Sequence, residues 1–200
     1  MKVSRFVPLG CRIAIEFANT VAAPIKPRHG RGWEALVGFL EAAGAIGPAE
    51  AGRLRALGET VPSRCAGVVI RALELRAVIR QILEAIASQR PLVAESIEVV
   101  NRALRADAGA EQIVAAGSGW RPTFVPERHD PLVALAPLAR SAAELIAEGP
   151  AAPVRRCANP KCVLFFYDDS RSRCRRWCSM AVCGNRMKVA AHARRRRSRP

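Results

Sequence analysis

The sequence predicts an α+β fold: a mostly helical N-terminal body with a small β-hairpin and short strands, then a small second module that ends in a helix. Three observations predict it. Apolar residues recur at helical spacing through much of residues 33–148. A Gly117-Ser118-Gly119 turn separates two strand-like runs. Five of the seven cysteines fall in the last fifty residues, where 14 Lys and Arg face only 2 acids, against 18 facing 15 in residues 1–150. With 200 residues, half of them hydrophobic, the chain can bury one medium core and a small satellite.

Element by element, Arg12 to Phe17 alternates apolar and polar residues only in part, and reads as a short strand or turn leading to Phe17-Ala18-Asn19-Thr20. Residues 21–32 read as a loop rich in Pro, Gly and basic side chains. Apolar positions 33, 36, 37, 39 and 40 form a helical stripe over Trp33 to Ala45, closed by Gly44 and Gly47-Pro48. A second helix is expected from near Pro48 to near Gly58. The strongest helix runs from Val68 to Ser88 and is stopped at Gln89-Arg90-Pro91; another covers Val93 to Ala106. Gln112 to Ala116 and Trp120 to Val125 form the hairpin. Asp130 as N-cap and Pro131 in the first turn open a long amphipathic helix, Leu132 to Glu148, which Gly149-Pro150 ends. The expected boundary therefore separates a body, 1–150, from a module, 151–200.

After Asp169 the chain contains no acid. A nearly neutral body with a strongly cationic end points to a polyanionic partner for that end. No stretch approaches the roughly 18 uncharged apolar residues of a membrane span, and Pro8, Arg12 and Glu16 interrupt the apolar run of a leader peptide. A cytoplasmic protein with reduced thiols is expected, without a membrane partner.

Reduced cysteines crowded into 27 positions are a metal-ligand pattern more than a disulfide scaffold. Cys157 and Cys162 enclose an Asn159-Pro160 turn signal, and Cys178 and Cys183 repeat the same gap. Zinc favours a closed tetrahedral set of thiolates when its role is structural. Cys174 competes for a place, four residues before Cys178; the equal gaps favour Cys157, Cys162, Cys178 and Cys183, which leaves Cys174 as a spare thiol. Beside Arg173, Arg175 and Arg176 that thiol would ionise readily, so a redox role is a second reading of it. Arg155, Arg156, Arg175 and Arg176 have two readings, support of the thiolate cluster or phosphate contact.

Ser179 can cap a helix from Met180 toward Arg197. At 100° per residue, Asn185, Lys188, His192, Arg195, Arg196 and Arg199 gather on one side. Val182, Arg186, Val189, Ala190 and Ala193 lie toward the other, which is expected to dock on the cysteine module. Lys188 and the tract Arg194, Arg195, Arg196 and Arg197 suit phosphates, and Asn185 suits an adenine edge. His192 is expected on the exposed face. Phe165, Phe166, Tyr167 and Trp177 read either as a stacking surface for single strands or as the small core of the module, and a module this small needs them as core.

Cys157 to Arg197, with Arg176-Trp177-Cys178-Ser179-Met180 and Cys183-Gly184-Asn185-Arg186, resembles the CGNR-type zinc finger. The body, with Phe17-Ala18-Asn19-Thr20 and Leu138-Ala139-Arg140-Ser141-Ala142, resembles the ABATE domain of bacterial stress-induced transcription regulators. The resemblance covers nearly the whole chain. It implies one structural zinc in a treble-clef-like finger on the same four cysteines that spacing favours, and it implies DNA binding with transcriptional control. Cys174 departs from the small polar residue expected at its position, so its redox role would be particular to this chain.

The expected function is thus a bacterial transcription regulator acting at the nucleoid. Its zinc finger would bind DNA through Arg175, Arg176, Asn185, Arg186, Lys188, His192 and Arg194–Arg197, and its body would sense a small-molecule ligand or form a homodimer. The alternative is an RNA-binding or protein-interaction zinc module. No enzyme is expected: four protein ligands leave zinc no open position, and His29, His129 and His192 form no recognisable catalytic pattern.

Overall fold

The computed structural model of the protein describes residues 12–22, 31–105, 109–126 and 130–197. Most of the loop expected at 21–32 lies outside the described residues, as do His29 and His129. Among the described residues, seven α-helices and two antiparallel strand pairs run in the order α1 (Ile13–Asn19), α2 (Arg31–Ala42), α3 (Pro48–Thr60), α4 (Pro62–Ala87), α5 (Ala94–Leu104), β1 (Gly109–Ala116), β2 (Gly119–Pro126), α6 (Ala136–Glu148), β3 (Val154–Arg156), β4 (Phe165–Tyr167) and α7 (Asn185–Arg197). None of these helices is long and apolar enough to cross a membrane.

The first segment is a helix, not the strand or turn its pattern suggested. Ala14, Ile15, Phe17 and Ala18 are all buried as α1 packs between α4 and α6. A helix covered on nearly every side carries no amphipathic stripe, so its period is invisible in the sequence. The Ala14 amide donates to the Ser141 hydroxyl at 3.3 Å, which ties its first turn to α6.

Helix α4 is the spine. Its buried residues Cys65, Val68, Val69, Ala72, Leu75, Ile79, Ile82, Leu83 and Ile86 recur every three or four positions, and α1, α2, α3 and α5 pack against it. It begins six residues before the expected start because Pro62 sits in its first turn, where a missing N–H costs nothing. Helices α2 and α3 are clipped by the Trp33 indole N–H, which donates to the Leu54 carbonyl at 2.7 Å. As expected, Asp130 is an N-cap, its carboxylate accepting from the Leu132 amide at 2.9 Å. The turn it caps, Pro131–Leu135, is a 3₁₀ helix that passes into α6.

The predicted hairpin forms with Ala116 opposite Gly119, so Gly117-Ser118 makes the turn. Gly117 supplies the positive φ of 61° that such a tight turn requires. The second pair, β3 with β4, places Arg156 opposite Phe165. It lies against α4 and α1, and carries the cysteine module into contact with the body.

Candidate metal centre and basic helix

The β3–β4 pair presents the first two cysteines. Cys157 comes directly after β3, and its amide donates to the Leu164 carbonyl at 3.0 Å. Asn159 then folds the chain back: its side-chain oxygen accepts from the Lys161 amide at 3.1 Å, and its carbonyl accepts from the Cys162 amide at 2.8 Å. The second pair belongs to the start of the last helix. Ser179 caps it, its hydroxyl accepting from the Val182 amide at 3.4 Å. The first turn, Met180–Gly184, is a π turn that brings Cys183 inward.

The sulfurs of Cys157, Cys162, Cys178 and Cys183 all lie within 4.8 Å of one another. Cys162 and Cys178 are 3.8 Å apart, and Cys178 and Cys183 3.7 Å. Zinc–thiolate bonds of about 2.3 Å in a tetrahedron require sulfur separations of about 3.8 Å, so the donor set fits one structural zinc. Cys174 is exposed and outside the cluster, its thiol turned to the Ser172 carbonyl at 3.0 Å.

Burial pushes the Cys178 thiol well above its ordinary range and raises the Cys162 thiol as well. Burial acts the same way on Cys183, but the Asn159 amide and the adjacent thiols outweigh it and bring that thiol down. The Asn159 amide donates to the Cys183 sulfur at 3.3 Å, and the Cys178 amide to the Cys157 sulfur at 3.5 Å. Such donors offset thiolate charge, and a divalent ion supplies the rest. With four protein ligands the ion has no open position, so its role is to hold the fold.

Around the cluster, Phe166 is fully buried with the ligands and Trp177 packs against them. Gly184 is required by close approach: a Cβ there would stand 3.2 Å from the Trp177 ring and collide with the Met180 side chain. The loop from β4 to Cys178 is organised by Asp168, whose side chain is wholly buried. It accepts from the Ser170 hydroxyl at 2.5 Å, the Ser170 amide at 3.3 Å, the Arg175 amide at 3.0 Å and the Arg155 guanidinium at 3.0 Å. Burial would raise this carboxyl, but these donors hold it below the usual carboxylate range. Asp168 and its neighbour Asp169 are the only acids in residues 151–200, and Asp168 is the one the fold buries.

The arginines divide. Arg155 binds Asp168, and Arg175 donates to the Trp177 carbonyl at 3.0 Å and to the Cys178 carbonyl while covering the Phe166 ring at 4.7 Å. Both therefore support the finger. Arg156 reaches Glu84 of α4 at 3.6 Å. Arg176 is exposed above the Trp177 ring at 5.2 Å.

The body grips the finger through Asn19, at the end of α1, and Arg80 of α4. The Asn19 side-chain amide donates to the Phe165 carbonyl at 2.8 Å and its oxygen accepts from the Phe165 amide at 2.9 Å, as a neighbouring strand would. Arg80 donates to the carbonyls of Ala18 and Val163 at 3.1 and 3.0 Å and lies over the Phe165 ring at 5.1 Å. Thr20 is occupied too, donating to the Phe17 carbonyl and accepting from Arg76. Phe165 sits in the core of the body and Phe166 in that of the finger. Both rings are buried, which removes them as a stacking surface for single strands.

The docked side of helix α7 is not the one expected. Val182, Arg186, Val189, Ala190 and Ala193 do not dock: Val189 is 70 % exposed and Val182 54 %. The inward side carries Cys183 and Gly184, both buried, with Met187 and Ala191 half-buried. The signal was present in the sequence, because a ligand must point at its metal and so sets the inward face at Cys183, Met187 and Ala191. Asn185, Lys188 and His192 are exposed, as expected. The helix includes the backbone of residues 194–197; their side chains lie outside the described residues.

Residues 12–149 match the family described as "ABATE: Putative stress-induced transcription regulator", and residues 154–196 match the CGNR zinc finger. No curated protein matches the chain.

Proposed function

The chain belongs to the ABATE family, described as "Putative stress-induced transcription regulator", and carries a CGNR zinc finger, and on that premise we propose that it binds duplex DNA through α7, in the bacterial cytoplasm at the nucleoid. The carrying observation is the bare, cationic face of that helix: Asn185, Arg186, Lys188, Val189, His192 and Ala193 are all exposed, in a segment with no acid after Asp169. An α-helix fits the major groove of B-DNA, where base edges are distinguishable. Arg186, Lys188 and the tract Arg194–Arg197, with Arg176 on the adjoining loop, supply phosphate contacts. Zinc holds the helix N-terminus in place and takes no part in chemistry; the function is regulatory and not enzymatic.

In this reading residues 1–150 receive a signal, as a ligand or a second copy, and residues 151–200 contact DNA. Duplex DNA is favoured over single-stranded RNA because Phe165 and Phe166 are spent on two cores.

The test is anisotropy of the zinc-loaded full chain with random duplex DNA and with structured RNA across salt concentrations. Six phosphate contacts give a log–log salt slope of about −5 on duplex. That slope, flattened by removing residues 194–200, supports the proposal; zinc-loaded protein that ignores duplex DNA overturns it.

A further inference from the structure

On α7, bare apolar surface and basic charge meet. With Cys183, Gly184, Met187 and Ala191 inward, the opposite side at about 100° per residue centres on Val189. Asn185 and His192 stand to one side of it, Val182, Ala193 and Arg186 to the other. Val189 is the most exposed large hydrophobic residue of the finger, at 70 %. Nothing among the described residues covers it. A second α7 would bring two acid-free cationic segments face to face, which charge repulsion opposes. A polyanion with an apolar spot in its groove matches both properties, and in duplex DNA that spot is the 5-methyl group of thymine.

We infer that Val189 reads a thymine methyl and Asn185 an adjacent adenine, so that the site recognised by α7 contains A·T pairs at its centre. This rests on the DNA-binding reading above. Asn185, Val189 and His192 span about 10 Å along the helix axis, close to three base-pair steps of about 3.4 Å. The Asn185 side-chain amide donates to the Ala181 carbonyl at 3.4 Å, and its second N–H and its oxygen are left for the adenine N7 and N6 amino group. Arg186 and Lys188 flank this stripe on opposite sides, placed for the two phosphate backbones that wall the groove.

The experiment selects duplexes from a random pool with the zinc-loaded full chain, then replaces each thymine of the selected site by uracil, which removes only the methyl. The inference expects about four-fold weaker binding at one or two positions, the worth of one buried methyl. Val189→Ala, with unchanged zinc content, is expected to bind the thymine and uracil duplexes alike. A selected site indifferent to uracil, or a uracil penalty that Val189→Ala leaves intact, overturns the inference while leaving DNA binding standing. A Val189-dependent dimer in sedimentation also overturns it, by assigning the face to a second copy. Failure to select any duplex removes the DNA reading itself, and this inference with it.

Discussion

The chain builds two antiparallel hairpins of very different kinds. The first, β1–β2, has eight residues in each strand, yet Ile113 and Trp120 on it are 64 % and 76 % exposed. The second, β3–β4, has three residues per strand, and its Phe165 and Phe166 are buried in separate cores. The long one is conspicuous in sequence and peripheral in the structure; the short one is nearly invisible in sequence and joins the body to the metal. What a strand pair touches, not how many ladder bonds it makes, decides its weight, since an isolated two-stranded ribbon is marginal in water.

Removing the metal should break the comparison most severely. Structural zinc contributes on the order of 10 kcal/mol to folding small domains, so Cys178→Ser or a chelator should unfold the finger. Because β4 is shared, the thermal midpoint of the body should fall as well, read by circular dichroism beside zinc content. A body melt indifferent to zinc would show the two cores to be independent. Next, Phe165→Ala should cost about 4 kcal/mol through a body cavity, whereas Phe166→Ala should show first as faster zinc loss to a chromophoric chelator.

Asp168→Ala should cost about 3 kcal/mol near neutral pH, since it leaves Arg155 and two amides without their acceptor. Its carboxyl is lower in the folded state than the ordinary 3.8. The contribution is therefore complete above that value and is lost as pH falls through the depressed folded value, so wild type and variant should converge only in strong acid. Urea melts at two pH values check this. Asn19→Ala should cost about 2 kcal/mol, the worth of two hydrogen bonds to one buried strand residue, and should loosen zinc although Asn19 touches no ligand. Last, Trp120→Ser on the long hairpin should change stability by less than about 0.5 kcal/mol; a larger loss would mean that this hairpin is anchored after all.

Much of the fold and of the metal centre is legible in the sequence, for physical reasons. Equal cysteine gaps identify the four sulfurs that converge, and Asp130 and Ser179 cap where their side chains suggest, because caps and knuckles are local. Helices α2 to α6 show their periods because each has a wet face. Helix α1 does not, being covered nearly all round. The orientation of α7 is misjudged when hydrophobicity is allowed to choose its docked side, because Cys183 has already chosen it. The roles of Asn19, Arg80 and Asp168 depend on partners distant in the chain or hidden in a loop, and no local pattern announces them.

The bond between Asn19 and Phe165 spans 146 positions, and that interval has a meaning during synthesis. A ribosome delivers the helical body first, with the Phe165 slot empty and the Asn19 amide unanswered, and closes it only when the last quarter of the chain emerges. A truncated product keeps that open wound, and exposed apolar surface of this kind is what chaperones and proteases act upon. Completion of the C-terminal finger is thus what closes the body's core around Phe165.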